Sequence, residues 1–152
     1  MKRENFILVG TYTGRKRKGV YVFGDENLER GNLSPLYCCR VRNPSYLTAT
    51  ENLRHIYSVS ENETGNSFVN AFSFDPSEGS ITLLNRRFTK GGGPCYIAAD
   101  LREKFVVTAN YAGGSISVFP VEEDGTLAPL SQLIEFSGKG TDINRQEAPH
   151  IH

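Results

Sequence analysis

The chain has 152 residues, and its 17 Lys+Arg balance 17 Asp+Glu, so its formal net charge is zero. That length fits one ordinary domain, and the charge balance excludes the strong basic excess of a general nucleic-acid or membrane-surface binder. Frequent Val, Ile, Tyr, Phe and Thr, 15 glycines and no Ala-, Leu- and Glu-rich window make this a β composition.

In chain order, MKRENFILVG carries two basic residues before only about five apolar ones. A secretory apolar core needs roughly seven to fifteen, and no stretch approaches the ~18 apolar residues of a membrane span. Strands are predicted near 5–12, 19–24 and 33–41. The run RKRK, Arg15 to Lys18, has the form of a nuclear-import or nucleic-acid patch. It falls in a hairpin loop of a neutral chain and is read as a solvated loop. Cys38 and Cys39 are adjacent in a strand and point to opposite faces, so they make a poor disulfide pair. With Cys95 they read as reduced thiols of a cytoplasmic protein, and no CxxC or HxxxH spacing suggests zinc.

Further strands are predicted near 45–50, 55–60, 68–74 and 81–88, then near 95–100, 105–110, 115–121 and 127–136. These two groups are copies of each other. NPSYLTATENLRHIYSVSE, Asn43 to Glu61, aligns without a gap on GPCYIAADLREKFVVTANY, Gly93 to Tyr111. Pro44 falls on Pro94, Tyr46 on Tyr96, Ala49 on Ala99 and Ile56 on Val106, a shift of 50 residues. Four short strands per unit, joined by Gly, Asn and Asp turns and repeating at about 50 residues, are the signature of propeller blades. A β-sandwich has no reason to repeat at a fixed period.

The reading is therefore all-β: a β-propeller of about three blades of four-stranded antiparallel sheet. Residues 1–152 form one partial domain, with blade 1 at about 5–42, blade 2 at about 43–90 and blade 3 at about 91–140. Blade 1 has no counterpart to the innermost strand. The terminal APHIH aligns with NPSYL and GPCYI, so about 145–152 is expected to begin a fourth blade. Closed propellers use four to eight blades, so the chain is expected to be the N-terminal piece of a longer protein. Ser45, Cys95 and His150 then occupy matching places on innermost strands, which line the central channel.

The motifs VGTYT, GVYVF, NPSYL, YSVSE, GGGPCYI, ANYAGGSISVFPVEEDGTL and RQEAPHIH, in this order, resemble the lactonase family of seven-bladed β-propellers. The resemblance covers the whole chain. It implies a parent of seven blades and a metal-free, cofactor-free site at the channel mouth, with a histidine of the PHxH motif near the chemistry. It also implies acidic and arginine partners from later blades. The implied activity is hydrolysis of a sugar lactone, 6-phosphogluconolactone to 6-phosphogluconate. The alternatives are a cycloisomerase interconverting a carboxy-muconate and its lactone, or a non-catalytic binding platform. The implied partner is a small anionic lactone or carboxylate, with no nucleic acid and no membrane. The open blade faces are expected to meet missing C-terminal blades or another copy of the chain.

His150 and His152 are the candidate catalytic residues. A histidine can take a proton from water and return it to the leaving oxygen, and in an extended strand the two share one face. The plainer alternative is that they only hydrogen-bond neighbouring strands. Arg145 is the candidate bidentate partner of an anionic group, with Gln146 beside it, unless both only cap the blade. Tyr96 and Asn110 are further candidates for substrate binding and Tyr111 for lining the pocket, although for Asn110 and Tyr111 blade packing is the favoured reading. Cys95 reads as a small buried hydrophobe rather than a nucleophile. Gly91 to Gly93 read as a turn rather than an anion nest. His55 is expected at the surface.

Overall fold

The computed structural model describes residues 5–14, 17–62 and 66–152. Of the basic run, Arg15 and Lys16 lie outside these residues, while Arg17 and Lys18 are exposed.

Three antiparallel sheets are found among the described residues. The first orders β1 (Phe6–Gly10), β2 (Gly19–Gly24) and β3 (Tyr37–Arg40). The second orders β4 (Leu47–Ala49), β5 (His55–Ser60), β6 (Phe68–Asp75) and β7 (Ser80–Phe88). The third orders β8 (Pro94–Ala99), β9 (Phe105–Asn110), β10 (Ser115–Pro120) and β11 (Gln132–Glu135). Each sheet pairs only neighbours in sequence, the meander expected of propeller blades. Among the described residues the first has no strand beyond β1 on its inner edge.

Two departures from the sequence expectation have identifiable causes. Where a loop was expected after β2, Asp25–Glu29 forms a short helix, α1, whose first residue accepts the Glu26 N–H at 2.8 Å. The last strand of the third sheet starts only at Gln132, not near 127. Asn85 of β7 pulls Leu127 aside: its amide donates to the Leu127 carbonyl at 2.9 Å and accepts the Leu127 N–H at 3.1 Å. Arg87 adds a bond to the same carbonyl at 2.8 Å. The Leu127 side chain is thereby buried between two blades.

The core lies in the seams. Period-two alternation sends one face of each strand to the preceding blade and the other to the next. Between the first and second sheets pack Val20, Val22, Ile56, Phe72, Phe74 and Ile81. Between the second and third pack Tyr57, Val59, Val69, Ile97, Val106, Phe119 and Leu127. Tyr57 is fully buried and donates its hydroxyl to the Gly125 carbonyl at 3.1 Å. Burial pushes its ionisation up to about 12.

The repeat extends to the backbone. Positive φ occurs at Asn43 (44°) and Gly93 (59°), and again at Leu53 (57°) and Glu103 (54°), each pair 50 residues apart. The carbonyl of Asn43 accepts the Glu61 N–H at 2.9 Å, as that of Gly93 accepts the Tyr111 N–H at 2.9 Å. Asn43 also uses its side chain. Its Oδ1 accepts the Thr13 N–H at 2.9 Å and the Thr13 hydroxyl at 3.0 Å, and its Nδ2 donates to the Glu61 carbonyl at 3.1 Å. It ties the loop after β1 to the end of β5. Asn43→Ala is expected to cost about 2 kcal/mol, from the left-handed backbone and the lost bonds together. Asn43→Gly keeps the backbone that Gly93 shows and is expected to cost about 1 kcal/mol. Urea unfolding of the two variants checks this order, and equal losses would remove the backbone argument.

Candidate functional site

After β11 the chain turns back toward the third sheet. Asp142 and Gln146 close a compact loop: the Gln146 N–H donates to the Asp142 carbonyl at 2.7 Å, and the Gln146 side-chain oxygen accepts the Asp142 N–H at 3.2 Å. Pro149 then crosses Gly114, whose backbone (φ 54°) approaches so closely that a Cβ there would lie 2.8 Å from the Pro149 carbonyl oxygen. This delivers His150 onto Tyr111, the residue that follows β9.

The His150 ring stacks on Tyr111 at 4.3 Å between centroids and 15° between planes. Its Nδ1 lies 3.2 Å from the Tyr111 carbonyl oxygen. A carbonyl can only accept, so in this hydrogen bond Nδ1 is the donor. Nε2 in turn lies 3.4 Å from a Glu147 carboxylate oxygen. The His150 side chain is 18% exposed, and that of Glu147 58%. His152 reaches the same tyrosine at 5.9 Å, tilted by 59°. A cavity of about 540 Å³ is lined by Tyr111, Asp142, Arg145, Gln146, Ala148, His150 and His152.

Arg145, Gln146, His150 and His152 thus meet around one cavity, although the Gln146 oxygen is engaged in closing its own loop. Asn110 does not join them, which corrects the sequence expectation. It is completely buried, and its amide donates to the Ser115 hydroxyl at 3.1 Å and the Ser117 hydroxyl at 2.8 Å. Ser117 donates onward to the Thr89 carbonyl at 2.6 Å. Asn110 thus satisfies its amide inside the sheet, where its Oδ1 also accepts the Thr108 hydroxyl at 3.3 Å. Gly91 is required beside it, since a Cβ would lie 2.3 Å from the Asn110 nitrogen. Tyr96 also lies outside the cavity, with its ring 4.8 Å from that of Tyr46. His55, expected at the surface, is half-buried against Gly125.

Sequence reading missed a second group, on the same rim. Glu61 follows β5 as Tyr111 follows β9, 50 residues later. Tyr111 covers His150 of the next inner segment, and Glu61 correspondingly lies close enough to Cys95 for its charge to act on the thiol. Burial raises the Cys95 thiol pKa, and the Glu61 charge raises it further. That disfavours a thiolate and a nucleophilic role. The Cys95 sulfur also contacts the Ile151 carbonyl at 3.7 Å, so Cys95 joins Glu61 to the histidine segment. The Tyr12 hydroxyl donates to Glu61 at 2.7 Å, and that bond holds the phenol's pKa above its ordinary value. Ser45 lies beside Tyr12. Its buried hydroxyl has no hydrogen-bond partner among the described residues. Asp142 and Glu147 were missed as well. The 50-residue alignment, carried one residue past the strands, was the available signal for Glu61.

Known proteins place this geometry in a family. The model for the lactonase family of seven-bladed β-propellers matches residues 6–152. A 6-phosphogluconolactonase of Bacillus subtilis is 37% identical over 145 residues, covering 95% of this chain and 41% of that protein. A crystal structure of a Bacteroides fragilis protein, provisionally named a 6-phosphogluconolactonase, superposes with a TM-score of 0.90 at 46% identity, covering 99% of this chain and 42% of that one. A periplasmic gluconolactonase of Pseudomonas aeruginosa superposes with a TM-score of 0.80 at 30% identity, covering 92% of this chain and 40% of that one. The chain spans about two-fifths of the length of these relatives. Seven matched motifs, three propeller blades and the full-length family match agree: the chain belongs to the seven-bladed β-propeller lactonase family.

Proposed function

We propose that the protein carrying this chain hydrolyses a sugar lactone, 6-phosphogluconolactone to 6-phosphogluconate. The observation that carries the reading is His150, whose Nδ1 is held by a carbonyl and which lines a cavity together with Arg145. The names of relatives in Bacillus subtilis and Bacteroides fragilis support the substrate.

The chemistry needs three proton or charge movements. Nε2 takes a proton from water as the water oxygen attacks the carbonyl carbon. Glu147, 3.4 Å away, steadies the imidazolium that results. The acyl carbon–oxygen bond then breaks, and the ring oxygen takes the proton back from Nε2. Arg145 binds the anionic end of the substrate. His152, on the same tyrosine, is the donor available to the oxyanion. No metal is required by this sequence of steps, and we infer a metal-independent reaction. Three free cysteines favour the cytoplasm, although one relative is periplasmic.

The test is NMR of the full-length protein with fresh 6-phosphogluconolactone. The expected result is lactone loss at least about a hundredfold faster than the spontaneous reaction, unchanged by a chelator. Turnover of a carboxy-muconate lactone alone would favour the cycloisomerase instead, and binding without turnover a platform.

A further inference from the structure

We propose that Glu61 and Tyr12 are specificity residues of the same channel mouth, and that they read the hydroxyl groups of a polyhydroxylated substrate. This inference rests on the lactonase reading.

Two successive blades present the same arrangement, and the first blade adds a tyrosine beside it. The residue after the second strand of one sheet reaches the start of the next inner segment. In the third sheet that contact is Tyr111 on His150, an aromatic platform under a base. In the second it is Glu61 toward Cys95. In the first, the neighbouring residue Tyr12 lies against Ser45. The rim therefore runs from Tyr12 through Glu61 and Cys95 to the backbone of Ile151 and on to His150. His150 supplies the proton chemistry at one end. At the other stand a carboxylate and a phenol 2.7 Å apart.

The two ends suit different parts of a ligand. A carboxylate accepts hydrogen bonds from vicinal hydroxyls, and these charge-assisted bonds are the stronger kind. A sugar lactone offers ring hydroxyls to Glu61, whereas a carboxy-muconate has none. The pair is also fixed in position. Asn43, in its left-handed conformation, holds the Glu61 backbone at both the N–H and the carbonyl and clamps Thr13, the residue after Tyr12. Tyr12 fixes the carboxylate itself.

The experiment compares kcat/KM of the full-length protein on 6-phosphogluconolactone and on δ-valerolactone, a ring of the same size without hydroxyls. Glu61→Gln and Tyr12→Phe are expected to lose at least tenfold more on the sugar lactone than on δ-valerolactone, chiefly through KM. Equal losses on both lactones, or no loss on either, would overturn the proposal. Calorimetric binding of gluconate against hexanoate provides an arm that needs no turnover. If the wild-type protein hydrolyses neither lactone, the lactonase reading fails. The hydroxyl reading still stands if gluconate binds at least tenfold more tightly than hexanoate and Glu61→Gln removes that preference. It falls if the preference is absent or survives the substitution.

Discussion

His150→Ala in the full-length protein is expected to lower turnover of 6-phosphogluconolactone by at least about a hundredfold, the usual scale for a positioned general acid–base group. The structural reason is the number of constraints on one ring. Tyr111 supplies a stacking surface at 4.3 Å and a carbonyl at 3.2 Å, and Glu147 stands 3.4 Å from the remaining nitrogen. Such a ring is held in one orientation, which is what catalysis by a positioned group requires. His152 is exposed and touches only the flank of the same tyrosine. Its replacement by alanine is expected to cost about tenfold, within the range for one hydrogen-bond donor. Steady-state kinetics with a thermal melt for each variant separates loss of chemistry from loss of fold. If His150→Ala kept near-normal turnover, the base would have to be sought elsewhere on the rim.

The polypeptide of residues 1–152, made alone, is expected to self-associate and to be inactive on 6-phosphogluconolactone. The register of β1 on β2 pairs Ile7 with Phe23 and Val9 with Tyr21 on one face. The opposite face, with Leu8 and Val22, packs into the seam with the second sheet. The first face has no sheet over it among the described residues, and Ile7 and Val9 are 45% and 37% exposed. At the other end Ile134 and Phe136 are 42% and 46% exposed. Apolar sheet faces of this kind, with the open edge of β1, recruit other chains. Light scattering on a sizing column is expected to show dimers or larger species, and Ile7→Lys with Val9→Lys is expected to reduce them. A monomeric, active 1–152 polypeptide would show that the faces and the site need nothing more.

Most of the fold could be read before the structure. The 50-residue period and the alternation within each strand are properties of nearest neighbours along the chain, and sequence records those directly. The departures arise where one blade acts on another. Leu127 leaves its strand because Asn85, 42 residues earlier, offers a reciprocal amide pair. No local pattern carries that. Asn110 stood between two readings for a related reason. The end of a strand at a channel suggests a ligand-facing residue, but the Ser115 and Ser117 hydroxyls across the hairpin turn its side chain inward. The histidine pair was legible because alternation puts His150 and His152 on one side. Glu61 was not, because its role depends on which inner segment the curved sheet brings beneath it.

The left-handed residues at matching places in successive blades have a further consequence, for how such a protein can change over generations. Asn43 and Gly93 share a backbone shape but no side chain, and so do Leu53 and Glu103. The main-chain path was kept while the side chains drifted apart. Rim positions such as Glu61 and Tyr111 are therefore stations on a copied track, each aimed at the mouth by the same geometry. A single codon change at one station can exchange a carboxylate for an aromatic ring without redrawing the loop beneath it. Duplicated blades in this way give a lineage several independent places to try new substrate contacts, while the base at another station goes on working.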